Sequence, residues 1–400
     1  MIDFATTDIQ RQLIETARKF GEDVLRPAEI ELDRMADPEA VFASDLFRNA
    51  MAGAYELGFH KMGISEEYGG LGLDSTTNGM VWEELARNGV GFAATLMAAS
   101  VVPQLISFLA PGNKELVERY VIPFCEDQTG TQVSAWGSSE PNVGSDGKNY
   151  FDPSIRHSTT AVKKDGRYVI SGTKSNFVSN GGIAKVHIVF ACVDPSQGLR
   201  GSGAFIVPAD APGATTGDAL DKVGLRTLNQ SPLFFDEVEI PESYMIFPPG
   251  EGYPMLHNSI ITVGNTGTGY LALGLMRAAY EDALAYSKER VQWGKPIFEH
   301  QLIAKKLFEA FCAIEFSRAL LQKASWHIRN AFPGDLRTSL ASKINATSQA
   351  VRHTAEMVMV LGGYGIAKEY TVEKYMRDAP MLEIMDGTND TLMLKGAALL

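Results

Sequence analysis

Four stretches of this chain gather residue types that can do chemistry. The first is Trp136-Gly137-Ser138-Ser139-Glu140-Pro141-Asn142-Val143-Gly144-Ser145-Asp146. A β-rich run ends there in hydroxyls and small residues, then turns. Such a turn offers backbone N–H groups and serine hydroxyls to an anion or to a polar planar ring. The second, Asn176-Phe177-Val178-Ser179-Asn180-Gly181, sets an aromatic ring beside a hydroxyl at a strand end. The third runs from Arg290 through Val291, Gln292, Trp293, Gly294, Lys295 and Pro296 to Ile297, followed by His300-Gln301. Arg290 can bind phosphate bidentately, and Trp293 offers a stacking face. The fourth is Gly362-Gly363-Tyr364-Gly365, followed by Arg377-Asp378-Ala379 and Met385-Asp386-Gly387-Thr388-Asn389-Asp390.

Each has a structural counter-reading. Trp293 and Phe177 could be core aromatics. Gly362-Gly363 could only stop a helix, and Asp386 could be a turn acid. Asp378 could pair with Arg377 or cap a helix, so it receives no role. Gly264-x-x-Gly267-x-Gly269 resembles a phosphate loop but lacks the preceding strand, which favours helix–helix packing at small residues. No hydrolytic triad or metal-ligand spacing is present, and the seven histidines are scattered.

Three segments must position these residues. Residues 1–128 read as a helical domain. Thr7 and Asp8 can cap a helix through Ile9, Leu13, Ile14, Ala17 and Phe20, and another fits Phe47 to Leu57, stopping at Gly58. Two more are expected at Trp82 to Ala86 and Phe92 to Leu109. Residues 129–242 carry short β-rich runs at Gln132 to Trp136, Tyr168 to Ser171, His187 to Cys192, Ala204 to Val207 and Leu233 to Val238. Spaced strands with turn signals predict a small β-barrel or sandwich that Pro241 closes. Residues 243–400 return to helices at Leu271 to Arg290, Gln301 to His327 and Thr338 to Leu361, which predict a four-helix bundle. The fold class is therefore α+β. No linker is evident, so the three segments are expected to pack as one body.

Composition bounds the partners. The 400 residues carry a net charge of -12. An acidic surface argues against nucleic acid but allows a local basic site for a small anion. The three cysteines Cys125, Cys192 and Cys312 are far apart, which argues for a reducing compartment. Met1 to Leu13 reads as neither a signal peptide nor a transit peptide, and no membrane span is expected. The expected location is cytoplasmic.

Taken in order, the four stretches resemble the acyl-CoA dehydrogenase family. Its pattern is Thr/Ser-Glu-Pro-x-x-Gly-Ser-Asp, Trp/Phe-Ile-Thr/Ser-Asn-Gly, Arg-x-Gln-Phe-Gly, Gly-Gly-x-Gly, Arg-Asp-Ala and Glu-Gly-Thr. The resemblance covers nearly the whole chain. It implies FAD between the β domain and the C-terminal helices, partly at a subunit interface. Trp136, Ser138 and Ser139 would then face the flavin, with Phe177 and Ser179 as a second wall. Arg290, Trp293 and Gln301 would hold the pyrophosphate and adenine of a neighbour's FAD. Gly362 and Gly363 would allow close backbone approach there. Met359, Thr388 and Asp390 fall at further cofactor positions. Ser145, Asn265 and Met385 fall on the substrate side. A homotetramer is implied, with an electron-transferring flavoprotein as acceptor.

The resemblance also assigns the chemistry. Asp386 stands where the family has the Glu that removes the α-proton of an acyl-CoA thioester, while hydride leaves the β-carbon for flavin N5. Burial would raise the pKa of such a carboxylate toward its task. The backbone N–H of the same residue would help hold the thioester oxygen. Some members place the base at a position matching Gly264 or Asn265, and neither residue can act as one. Met359 and Met393 stand where Gln and Arg are common, Asn265 replaces a common Arg, and Gly172 to Phe177 is one residue longer than usual. The shorter Asp386 favours an acyl group with bulk at the α-carbon, branched or alicyclic. The alternatives are a same-fold desulfinase or monooxygenase, and a non-catalytic acyl-CoA or nucleic-acid binder.

Overall fold

The computed structural model describes residues 5–400, so the first four residues of the Met1–Leu13 stretch lie outside it. The N-terminal helices are α1 (Asp8–Phe20), α2 (Arg26–Asp33), α3 (Pro38–Ala43), α4 (Asp45–Glu56), α5 (Ser75–Ala99), α6 (Val101–Leu109), α7 (Lys114–Leu116) and α8 (Ile122–Glu126). Thr7 caps α1 in a reciprocal box: its hydroxyl accepts from Gln10 N at 3.2 Å, and Gln10 Oε1 accepts from Thr7 N at 3.0 Å. Asp8 lies in the first turn. Ala17 and Phe20 enter the core, but Ile9 stays exposed. The chain leaves α4 through Gly58 at φ 78°, a left-handed stop suited to glycine.

The expected helices at Trp82–Ala86 and Phe92–Leu109 are parted at Gly89, whose angles within α5 are non-helical, φ -162° and ψ 83°. The second is divided again at Ser100, before α6. One expectation about this region needs correction. Ser75–Leu109 is long and apolar enough to cross a bilayer, with a mean hydropathy of 1.8 in its best window. Val90 to Leu109 holds no charge. Here that apolarity serves the core: Phe92, Ala93 and Leu96 are fully buried, and α5 packs along the central C-terminal helix.

The middle of the chain forms one sheet. Its strands are β1 (Ser134–Gly137), β2 (Thr160–Lys164), β3 (Arg167–Ser179), β4 (Val186–Cys192), β5 (Ser202–Pro208), β6 (Ala214–Thr216), β7 (Gln230–Pro241) and β8 (Met245–Phe247). The order is β6-β7-β3-β2-β4-β5-β8, with β1 added in parallel to β4. The runs at 168–171 and 233–238 are the cores of longer strands. β2, β6 and β8 carry no strong sequence signal. The sheet also runs past Pro241, because β8 pairs with β5.

The C-terminal helices are α9 (Tyr253–Glu289), α10 (Gln301–Asn330), α11 (Leu336–Leu361), α12 (Val372–Ile384) and α13 (Asn389–Ala397). A two-stranded ribbon, β9 (Val291–Gln292) and β10 (Lys295–Pro296), joins α9 to α10. α9 begins well before the expected Leu271 and absorbs the Gly264-x-x-Gly267-x-Gly269 run. The glycines there serve close packing: a Cβ on Gly267 would meet Met97 Sδ at 2.9 Å, and one on Gly269 would meet Leu321 Cδ2 at 2.4 Å.

A buried ionic cluster ties the three regions together. Lys374 Nζ on α12 donates to Glu29 Oε1 on α2 at 2.9 Å and to Asp378 Oδ2 at 2.6 Å. Asp378 accepts from Leu225 N at 2.7 Å, and Glu29 accepts from the Thr227 hydroxyl at 2.7 Å. Burial pushes the Asp378 carboxyl up against the pull of Lys374. Burial alone would lower Lys374, but Asp378 and Glu29 hold its ammonium above the usual range. Asp378 is thus a structural acid. Arg377 turns elsewhere, to Asp33 at 2.6 Å and Glu373 at 2.7 Å.

Candidate active site

Asp386 sits in the turn between α12 and α13. Its φ is 56°, and Gly387 follows at φ 107°. Left-handed backbone is uncommon for a side-chain-bearing residue, and Asp tolerates it better than most. Three groups hold this conformation. Lys343 Nζ, fully buried on α11, donates to the carbonyls of Glu383 (2.8 Å) and Gly387 (2.9 Å) and to Asn389 Oδ1 (2.8 Å). From α9, Asn265 Nδ2 reaches the Asp386 carbonyl at 3.5 Å, and the Thr268 hydroxyl donates to Asp386 Oδ2 at 2.8 Å. Gly264 leaves room beside them, since a Cβ there would lie 3.4 Å from Asp386 Oδ2.

The turn after β1 reaches the same place. Ser145 Oγ lies 3.4 Å from both Thr388 N and Thr388 Oγ1. Met385 is half-buried against the core. Asp386, Ser145, Asn265, Met385 and Thr388 therefore come together from three separate parts of the chain. The acid itself is exposed. The chain does not supply the burial expected of it.

Next to this turn lies the end of β1. Trp136 is half-buried against Phe190, with ring centroids 4.9 Å apart. Ser138 is half-buried and Ser139 exposed. Lys174 on β3 clamps the turn from beneath, donating to Glu140 Oε1 at 2.7 Å, Phe190 O at 2.5 Å and Ser138 O at 3.5 Å. Burial pushes its ammonium down to about 8 against the pull of Glu140. The stretch Gly172 to Phe177 runs into an irregularity of the sheet. Lys174 faces Leu233 and Val178 faces Ser231, so the β3–β7 register slips between them. Within the bulge Phe177 is 65% exposed, so it is not a core aromatic. Ser179 is half-buried opposite Gln230.

A second feature is a cleft of about 990 Å³ lined by Arg290, Gly362, Gly363, Tyr364 and residues of the α9–α10 connection. Arg290 lies over the Tyr364 ring, 5.4 Å from its centroid. A Cβ on Gly362 or Gly363 would meet nothing within 4 Å, so the backbone is open to close approach. Gly362 has φ 62° and ψ -133°, a conformation that strongly favours glycine. Trp293 stands at the tip of the β9–β10 ribbon, 93% exposed, which excludes the core reading. Gln301, Met359 and Asp390 are exposed as well and lie outside the cleft lining.

Thr268, Lys343 and Lys174 hold the site but carry no role in the sequence reading. Thr268 has one local signal, its place one turn after Gly264. Lys343 shows only as a lone cation among small residues. Lys174 lies inside the quoted β3 stretch, yet nothing local tells that its ammonium turns inward.

Comparison with known proteins supplies the family. Residues 7–128, 135–238 and 250–399 match the acyl-CoA dehydrogenase N-terminal, middle and C-terminal domains. The chain is 35% identical over 411 aligned positions to a short-chain specific acyl-CoA dehydrogenase of Megasphaera elsdenii, covering 100% of both chains. It is 33% identical to a cyclohex-1-ene-1-carbonyl-CoA dehydrogenase of Syntrophus aciditrophicus, over 98% of this chain and 90% of the other. The solved butyryl-CoA dehydrogenase from Megasphaera elsdenii superposes with a TM-score of 0.88 at 34% identity, over 100% of both chains. Residues with these contacts, carried by helical, β and helical regions that match along their whole length, make this chain an oxidoreductase of the acyl-CoA dehydrogenase family.

Proposed function

We propose that this protein is an FAD-dependent acyl-CoA dehydrogenase in which Asp386 removes the α-proton of a thioester with bulk at the α-carbon. The observation that carries this is the seat of the carboxylate. Oδ2 is held by Thr268, and Oδ1 accepts no hydrogen bond from the described residues. One oxygen is thus fixed and the other open, as a general base requires. The N–H of Asp386 also has no partner among the described residues, so it is free to donate to the thioester oxygen as enolate charge develops.

The exposed surfaces fit FAD. Trp136, Ser138 and Ser139 would face its ring from the end of β1, with Phe177 and Ser179 opposite. Arg290, Gly362 and Gly363 offer an anion site with open backbone. Bound there, FAD supplies the two-electron acceptor for the β-hydrogen. Trp293, Gln301, Met359 and Asp390 are exposed in the single chain. We assign the first three, with the Arg290 cleft, to the cofactor of a neighbouring subunit in a homotetramer. Thr388 and Asp390 complete the contacts of the chain's own flavin. The units are 1–128, 129–242 and 243–400, and the electron acceptor is an electron-transferring flavoprotein. Three unpaired cysteines fit a reducing, cytoplasmic setting.

The substrate follows from reach. Asp is one methylene shorter than Glu, about 1.5 Å, and a displacement of ~1 Å can cost ~10²-fold in rate. A branched or alicyclic acyl group brings its α-carbon closer. Trp136 and Met385 can line its pocket. The cyclohex-1-ene-1-carbonyl-CoA dehydrogenase among the relatives supports the ring reading. The test is anaerobic flavin reduction by butyryl-, octanoyl-, isobutyryl- and cyclohexanecarbonyl-CoA in the wild type and in Asp386→Glu. The wild type should prefer a branched or cyclic thioester, and Glu should shift preference to straight chains. A wild type fastest on octanoyl-CoA, with Glu merely faster on everything, defeats the substrate assignment.

A further inference from the structure

We propose that Thr268 is a positioning residue for the Asp386 carboxylate: its hydroxyl fixes Oδ2 and turns Oδ1 toward the substrate. The inference rests on the reading of Asp386 as the base. It concerns a residue 118 positions away in the chain, on another helix.

The first observation is the fate of the hydroxyl proton. A threonine inside a helix commonly donates back to the carbonyl four residues earlier. Two neighbours on α9 do so: Thr262 donates to Asn258 O at 2.7 Å, and Thr266 to Thr262 O at 2.9 Å. Thr268 instead donates to Asp386 Oδ2 at 2.8 Å. It is fully buried, so water does not compete for that proton.

The second observation is the absence of steric hindrance along this face. Gly264 and Thr268 are four residues apart and lie one above the other on α9. Gly264 leaves the space into which the carboxylate leans. Asn265, on the same side, reaches only the backbone carbonyl of Asp386, at 3.5 Å. The charged groups around the turn are engaged elsewhere. Lys343 on α11 is bonded to the Glu383 and Gly387 carbonyls. Glu383 on α12 accepts from the Ser348 hydroxyl at 2.9 Å and Asn389 Nδ2 at 3.2 Å. Asp146 caps its own loop at Gly144 N, 2.7 Å, and Asp390 on α13 is exposed. Thr268 is thus the side chain on this face whose hydrogen bond reaches the Asp386 carboxylate.

Losing the hydrogen bond lets the short side chain rotate away from the α-carbon. The variant Thr268→Val keeps the shape and removes the donor, while Thr268→Ser restores the donor. With cyclohexanecarbonyl-CoA and butyryl-CoA as probes, Thr268→Val should slow flavin reduction about tenfold, with little change in the thioester concentration at half-saturation. Thr268→Ser should recover the rate. Independently of turnover, the carboxylate stretching bands of Asp386 in infrared difference spectra, identified by their loss in Asp386→Asn, should shift in frequency in Thr268→Val and return in Thr268→Ser. Thr268→Ala replaces Val if the latter disturbs α9. Wild-type rate and infrared bands in the donor-less variants overturn the inference, provided Asp386→Asn is inactive. If Asp386→Asn itself reduces flavin at near-normal rate, the assignment of the base has failed instead.

Discussion

Lys343 Nζ stands 2.9 Å from the carbonyl oxygen of Gly387, so a buried cation on α11 holds the backbone immediately after the proposed base. The same ammonium takes the Glu383 carbonyl and Asn389 Oδ1. It therefore joins the end of α12 to the start of α13 across the Asp386 turn.

Lys343→Met keeps the length of the side chain and removes its donors. Two carbonyls and an amide oxygen lose a buried partner. The variant should lose about 3 kcal/mol of stability and hold Asp386 less firmly. Urea unfolding reads the first effect, and a fall in the rate of flavin reduction that exceeds any fall in flavin content reads the second.

Asp386→Asn tests the base directly. Asn keeps the size of the side chain but cannot take the α-proton. Turnover should fall ~10²–10⁴-fold, while the visible flavin spectrum and flavin stoichiometry stay as in the wild type.

Gly362 is the residue to change in the Arg290 cleft. A side chain at φ 62°, ψ -133° is strained by roughly 1–3 kcal/mol and would crowd an open backbone surface. Gly362→Val should reduce the FAD retained on gel filtration. Arg290→Ala should do the same without backbone strain. If the cleft serves a neighbour's cofactor, FAD-depleted samples of both variants should also show a lower light-scattering mass.

Two buried histidines set an acid limit on stability. Burial pushes the rings of His60 and His187 down to about 4. The unfolded chain binds protons on these rings below about pH 6.5, whereas the folded chain stays neutral there until about pH 4. The unfolded state thus holds more protons in that window, and stability falls as pH drops from about 6.5 to 4. Each ring contributes up to roughly 2–3 kcal/mol. Urea midpoints measured across this range should fall less steeply in His187→Leu than in the wild type.

Local signals were legible in the chain. Thr7 announces the start of α1, Gly58 the end of α4, and Gly362 the end of α11, because capping and left-handed stops act within a few residues. Strand cores at His187–Cys192 and Leu233–Val238 show as runs of β-formers, although β2 and β8 do not, since each is held by its neighbours and not by its composition. The order of the motifs was enough for the family, and it placed Ser145, Thr388 and Asp386 in one reading.

The tertiary structure decided what no local window contains. The apolar run Val90 to Leu109 became core and not a membrane span because α9 packs along it. Trp293 became a ribbon tip and Phe177 an exposed ring within a bulge. Asp386 is set by Thr268 and Lys343, which reach it from α9 and α11. Their hydrogen bonds join segments far apart in sequence, and such contacts exist only once the helices are docked. The sequence by itself determined which residues could do the chemistry. Only packing decided which buried groups hold them in place.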